Sequence, residues 1–445
     1  MSRRSLHKQA HVVAVNMGYG HERAAYGLAE LCGGEIIVAN NYPGIPKADK
    51  DVWDRSCKLY ESISRLHALP WIGPSLFQLM DVFQRIPAFY PRRDMSRSNF
   101  QIAEIYYLLK HHKLGQHLIE KLAEDPLPLI CTFFLPAYAA ELNDYPGDIY
   151  IAICDADMFR TWVPYDAKAS RIQYLAPTGR VVERLKLYGV PSERIHLTGF
   201  PLPKYNIGKE TSILKHDLSH RIANLDPQQT FRKTYQETLT REFGKGVPQW
   251  TSEHPLTITF GIGGAGAQKN IAWQVVQSLR TLLLQKQLRL NIEVGTRTDL
   301  ARFFHHAARN HGLQHALDKE LCIHAYADRP TYFTSFQETL RTTDILWTKP
   351  SELAFYTGLG LPIVMAPPIG SQEDYNKAWL EGIGGGIAQQ DPRYTHEWLM
   401  DWVHSGALAR YAWNGYIEAP THGAYRIESL ISGKQTDLPA LPYIV

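Results

Sequence analysis

Cysteine, long apolar runs and charge imbalance are all scarce in this 445-residue chain. The five cysteines, Cys32, Cys57, Cys131, Cys154 and Cys322, are scattered without any CxxC spacing. That pattern argues against a cysteine zinc site and against a disulfide framework, and it points to a reducing cytoplasm. Near the N-terminus the apolar run covers only residues 11–15 after a polar stretch, far short of a secretory core or a bilayer span. The expectation is a cytoplasmic protein that neither carries a signal peptide nor crosses a membrane. A net charge of +3 is too small to call for nucleic acid as a partner. Arg3, Arg4 and Lys8 form a basic end that is a candidate contact for anionic lipid at the inner face of the membrane.

What is present is a packed α/β pattern. A composition of 44% hydrophobic and 20% charged residues describes a globular protein, and the length fits two domains. HVVAVNMGYGHERAAYGLAEL reads as a buried strand, a glycine loop and a helix that turns Ala24, Ala25, Leu28 and Leu31 inward. Apolar strands over 35–39, 129–134, 149–154 and 171–175 continue a parallel sheet covered by helices. From 204 to 250 the chain turns polar and charged with no strand candidate, as an insert or connector would. LTITFGIGGAGAQKN then starts a second strand, glycine loop and helix, followed by strands over 290–294, 321–324, 345–347 and 362–365. The expected division is an N-terminal domain over 1–203, a connector over 204–250, a second domain over 251–415 and a tail over 416–445 that returns to the first domain. The crevice between the two halves is where open parallel sheets place ligands.

The segment 66–90 is apolar and aromatic but broken by Pro70, Gly73, Pro74 and Pro87, so it cannot be one long helix. It reads as a helical excursion packed on its own domain. The alternative is a membrane-contacting flap, with Trp71, Phe77, Phe83 and Phe89 beside Arg85, Arg92, Arg93 and Arg97.

Three stretches carry candidate chemistry. Gly261, Gly263, Gly264 and Gly266 lie between a strand and a helix, where backbone N–H groups can cradle a diphosphate, although a tight turn alone also needs glycine. The acid that would hold a dinucleotide ribose is missing: the strand after the first loop ends in Asn40 and Asn41, and the second loop has no matching acid. In the first loop, Gly18, Tyr19 and Gly20 lead to His21 at the helix start, either a capping histidine or a general base for an acceptor hydroxyl. Pro350, Ser351 and Glu352 open a helix, with a hydroxyl and a carboxylate suited either to ribose or to the helix dipole. Gln372, Glu373 and Asn376 follow a later strand in a loop rich in groups that bond sugar hydroxyls.

The motifs MGYGH, CDADMFRTW, VPSERIHLTGFPL, FGIGGAG, TKPSE through GLPIV, and GSQEDYN occur in an order that resembles the inverting GT-B glycosyltransferases. That group includes monogalactosyldiacylglycerol synthase and the peptidoglycan N-acetylglucosaminyltransferase, and the matched stretches span roughly residues 12–386. The resemblance implies two Rossmann-like domains facing a cleft and a UDP-sugar as co-substrate, with no other cofactor and no metal. It implies His21 near the acceptor, Gly263, Gly264 and Ala265 on the diphosphate, and Gln372 and Glu373 on the donor sugar. Asp155 and Trp162 match the first-domain motif, with Asp155 an orienting group or the base in place of His21. One position departs from the pattern: five residues before the glycine of Gly360-Leu361-Pro362, where those relatives carry a ribose-binding glutamate, stands Phe355, and the nearest acid is Glu352.

The activity so implied is transfer of a sugar from a UDP-sugar to an acceptor hydroxyl with inversion, a lipid or membrane-surface acceptor being one candidate and peripheral membrane association its corollary. Two other readings stay open at this point. One is a UDP-sugar 2-epimerase on a related frame; the other is a non-catalytic nucleotide-sugar-binding protein.

Overall fold

The computed structural model describes residues 8–55, 86–244, 250–264, 266–434 and 437–443. Arg3, Arg4, Cys57, Trp71, Phe77, Phe83, Arg85 and Ala265 therefore lie outside the described residues. The chain divides into two compact units: one holds 1–203, 369–376 and 420–445, the other 204–368 and 377–419.

Each unit is built on one six-stranded sheet in which every pairing is parallel. In the first unit the strands are β1 (His11–Ala14), β2 (Ile37–Val38), β3 (Leu129–Cys131), β4 (Ile149–Ala152), β5 (Gln173–Ala176) and β6 (Ile195–Leu197). They stand in the order β2-β1-β3-β4-β5-β6. A parallel sheet is covered on both faces, which is why β1, β3 and β4 are buried along their whole length. One face packs Val13, Cys131, Ile149 and Ile151 with Leu118, Ala137 and Tyr138. The opposite face packs Val12, Ala14, Ile130 and Leu175 with Ala25 and Leu28, and with Ala424 and Ile427 of helix Gly423–Ser432. Gly423 is needed there, because a Cβ would sit 2.1 Å from the Phe200 carbonyl oxygen.

The second unit contains β7 (Leu256–Gly261), β8 (Leu288–Gly295), β9 (Leu321–Ala325), β10 (Ile345–Thr348), β11 (Ile363–Met365) and β12 (Gly386–Ala388), in the order β12-β11-β10-β7-β8-β9. Its core joins Ile258, Phe260, Leu290, Ile292 and Trp347. Residues 204–243, polar overall, form helices Ser212–Leu225, Thr230–Thr234 and Gln236–Phe243, which send Leu218, Ile222, Leu225, Phe231 and Leu239 into that same core. A buried arginine fixes the first of these helices. Arg221 donates to the carbonyls of Thr343, Leu359 and Gly360, satisfying backbone acceptors that would otherwise be buried unpaired.

The two α/β units are Rossmann-like in the sense the motifs imply. Strands β6 and β12, each three residues at a sheet edge, are absent from the sequence reading, and the observed β3 and β4 stop short of the expected 134 and 154. Among the described residues no helix is long and apolar enough to cross a membrane.

Candidate functional site

Strand order locates the candidate residues before any side chain is considered. In the first sheet the chain runs from β1 to β2 on one side and then restarts with β3 on the other, so the topological switch lies between β1 and β3. In the second sheet it runs from β7 through β8 to β9 and returns with β10 beside β7. Open α/β sheets leave a crevice at the carboxyl ends of the strands at such a switch, because successive connections depart in opposite directions. Both glycine loops emerge there: 15–20 from β1 and 262–266 from β7.

In the first unit, helix Gly20–Tyr26 begins directly after Tyr19, and Gly18 has φ 107°, a backbone region that suits glycine. The helix start places His21 so that its Nδ1 donates to the carbonyl oxygen of Thr132, the residue after β3, at 2.7 Å. Thr132 is itself pinned by its N–H to Val13 O at 3.0 Å. A carbonyl can only accept, so the neutral His21 ring carries its proton on Nδ1, and Nε2 is the nitrogen that takes up a proton. Phe133 and Trp162 wall the ring, with centroids at 5.0 and 6.0 Å from it. Trp162 is buried, and with Phe133 and Phe134 it forms an aromatic cluster that restricts the imidazole plane. Tyr19 is buried as well. The structure thus brings Gly18, Tyr19, Gly20, His21 and Trp162 together.

Asp155 follows β4, and its neighbour Cys154 points its thiol at the same Thr132 carbonyl, 3.7 Å away. Its Oδ1 accepts from Asn376 Nδ2 at 2.9 Å, while Asn376 Oδ1 accepts from the Ala156 N–H at 2.7 Å. Asn376 is fully buried, with both ends of its amide engaged in holding the 155–156 turn. Glu373 reaches back to accept the Ile369 N–H at 2.8 Å, tying down the entry to helix Ser371–Gly382, and Gln372 lies half-buried beside it. Residues 369–376 group with the first unit, the unit that also holds Asp155.

The second aspartate of CDADMF has a different task. Asp157 is buried and takes Arg184 in a fork, Nε to Oδ1 at 2.8 Å and Nη2 to Oδ2 at 2.9 Å, with Arg180 at 3.0 Å. Burial works against the Arg184 charge, but the Asp157 bonds and charge outweigh it, holding the guanidinium above its ordinary pKa. Phe89 lies under these groups, with the Arg180, Arg184 and Arg92 guanidinium carbons 3.8, 5.0 and 5.3 Å from its ring centre. It is only 2% exposed, so at this residue the alternative of a membrane-facing aromatic gives way to a buried cation–π platform.

In the second unit, Gly263 and Gly266 have φ of 75° and 72° and make the turn that delivers helix Lys269–Ser278. The Gly266 N–H closes the turn on Gly263 O at 3.1 Å. Two cationic side chains flank the loop, neither singled out from sequence. Lys349, the residue after β10, has its Cε 3.7 Å from where a Cβ on Gly263 would lie. Arg297 donates to Gly264 O at 3.2 Å and forks onto Asp299 at 2.8 and 2.7 Å. Lys349, a glycine turn and a helix N-terminus make a surface suited to an anion, while the Arg297 charge is met by Asp299 and its bond to Gly264 braces the turn.

Ser351 and Glu352 follow on the same loop. Glu352 is buried and begins a 3₁₀ helix, Glu352–Leu359, for which Ser351 is the cap residue without a capping side-chain bond. Pro350 precedes that element rather than sitting in its first turn. Phe355, at the position where a ribose-binding acid was sought, packs on Trp379 with ring centres 5.0 Å apart, an apolar role that no carboxylate could fill.

No protein-family model matches the chain, and no curated protein matches it. Solved structures do resemble it. A putative UDP-N-acetylglucosamine 2-epimerase from Listeria monocytogenes shares 12% identity at a TM-score of 0.47, covering 75% of this chain and 83% of that one. The MnaA–UDP structure from S. aureus shares 11% at 0.46, covering 98% and 99%. MurG from Acinetobacter baumannii shares 12% at 0.42, covering 96% and 99%. Likeness this distant assigns no activity.

Proposed function

We propose that the protein is an inverting glycosyltransferase that takes a UDP-sugar as donor and an acceptor hydroxyl as nucleophile, a lipid being one candidate acceptor. The observation that carries the reading is that each unit presents its glycine loop at its topological switch, one ending in an oriented histidine and the other flanked by Lys349 and Arg297. In this reading the diphosphate lies on the turn around Gly263 and Gly264. Lys349 and the helix N-terminus stabilise the negative charge that grows on the departing UDP. Ser351 and Glu352 lie beside the donor on the same loop, and Gln372 and Glu373 face the sugar.

His21 Nε2 removes the proton from the acceptor hydroxyl as its oxygen attacks the anomeric carbon. The bond from that carbon to the diphosphate oxygen breaks on the opposite face, giving inversion and releasing UDP. Asp155, held by Asn376, orients groups beside the histidine instead of acting as the base. The scheme requires that the two units bring donor and acceptor together, and solution scattering with and without UDP checks for that closure.

The deciding experiment incubates the full chain with a panel of UDP-sugars, with and without hydroxyl and lipid acceptors. Acceptor-dependent release of UDP with an inverted product is expected. Epimerised sugar from UDP-N-acetylglucosamine alone would replace this reading with the epimerase, and UDP binding without turnover would leave only a binding protein.

A further inference from the structure

We propose that the second unit carries a zinc-class divalent cation site formed by His216, His220 and Glu253, away from its glycine loop. Among the described residues these three are the one His/Cys/Asp/Glu group whose ligand atoms converge, all within 4.8 Å of one another. The cysteine spacings give no hint of such a site, and the sequence reading assigned no metal. The legible signal is the histidine pair four residues apart on helix Ser212–Leu225, which puts both rings on one face.

The geometry is specific. His216 Nε2 and His220 Nε2 point at each other, 3.3 Å apart. Two nitrogens each about 2.0–2.1 Å from one zinc ion, at a tetrahedral angle, stand about 3.3–3.4 Å apart. On the far side of the ring, His216 Nδ1 lies 3.3 Å from Asp217 Oδ1, and Asp217 is fixed by Arg341 Nη2 at 2.8 Å. A carboxylate on the distal nitrogen holds the proton there and leaves Nε2 as the ligand atom, the arrangement that orients metal-binding histidines. Glu253, in the segment entering β7, has Oε1 4.0 Å from His220 Nε2 and a side chain 76% exposed, so a small rotation completes a three-ligand set with water in the fourth position. The ion would tie helix Ser212–Leu225 to the start of β7, fastening that helix to the core it packs into. Without a cation the same contact is a hydrogen bond between one protonated and one bare imidazole nitrogen.

Metal uptake by the full, untagged, chelator-treated chain separates the two. We expect one equivalent of Zn²⁺ by calorimetry, a tetrahedral visible spectrum on Co²⁺ substitution, and a rise in melting temperature with Zn²⁺. His216→Ala and His220→Ala should each weaken uptake by at least about 100-fold and Glu253→Gln by about 10-fold, with unchanged circular dichroism. Absence of Co²⁺ and Zn²⁺ binding to the native chain, or binding unaltered in His216→Ala/His220→Ala, overturns the site. Should an alanine variant misfold, the Co²⁺ spectrum of the native chain still decides. None of these readouts involves sugar transfer, so the outcome is independent of the activity proposed above.

Discussion

The two glycine loops are built on the same strand, turn and helix grammar, yet their surroundings differ. The first ends in a short helix of seven residues whose opening histidine is bonded to the neighbouring strand's exit and boxed by Phe133 and Trp162. The second leads into a ten-residue helix and has a lysine stem and an arginine beside its turn. A rigid, aromatic-walled imidazole is suited to moving one proton, whereas a positively flanked turn is suited to holding an anion. The same motif on the page therefore supports two different tasks, and what distinguishes them lies in residues more than thirty positions away: Thr132 and Trp162 for one, Lys349 and Arg297 for the other.

His21→Ala breaks the comparison most sharply. Removing a general base should lower turnover by about 10²- to 10⁴-fold while UDP affinity stays within about twofold, measured by steady-state kinetics alongside calorimetry. A parallel loss of UDP affinity would move the histidine to the donor side.

The units also differ in how they bury a carboxyl. The first pairs Asp157 with Arg184 and Arg180, so Arg184→Met should leave a buried carboxylate with one arginine in place of two and cost about 2–3 kcal/mol in denaturant unfolding. A loss below about 1 kcal/mol would show that the pair is not holding the 86–89 segment and the Asp157 turn together.

Gly263→Ala tests the second loop. At φ 75° an alanine is strained by about 1–2 kcal/mol, although its Cβ would meet nothing closer than 3.7 Å. UDP affinity should fall by about tenfold, with His21-dependent chemistry on bound donor unchanged.

The last of these effects is one of pH. Burial drives the Asp344 carboxyl up from 3.8 to about 8, against the opposing Thr257 N–H bond, the Arg221 charge and the Asn224 bond. A folded-state pKa raised above the unfolded value means that stability falls as pH rises from about 4 to about 8 and levels off beyond. Asp344→Asn should flatten that slope in urea melts run across the range, and an unchanged slope would place the proton elsewhere.

Much of this was legible in the sequence because parallel sheets write buried strands as apolar runs. β7, β8 and β10 could be read directly, and both loops stood out by their glycines. The edge strands Ile195–Leu197 and Gly386–Ala388 were not legible, since three residues give too little pattern and both include half-buried positions. Asn376 was read as a sugar contact because an amide in a loop has that chemistry. Its partners at Asp155 and Ala156, 221 and 220 positions away, are a tertiary fact. Nothing in the TKPSE stretch separates Lys349 from Ser351 and Glu352, since only the pairing of β10 with β7 puts it beside Gly263. Phe89 lies buried, as the reading of its segment as packed on its own domain expects, and the arginines that suggested an interface stack on its ring instead.

Calorimetric titration of UDP into the native chain and into Lys349→Met tests the central claim most directly. The account predicts one UDP bound per native chain and an affinity about 10- to 100-fold weaker in the variant, the size of a lost charge-assisted contact, with uridine binding equally to both. Equal UDP affinity in the two proteins, or no binding of UDP to the native chain, would contradict it.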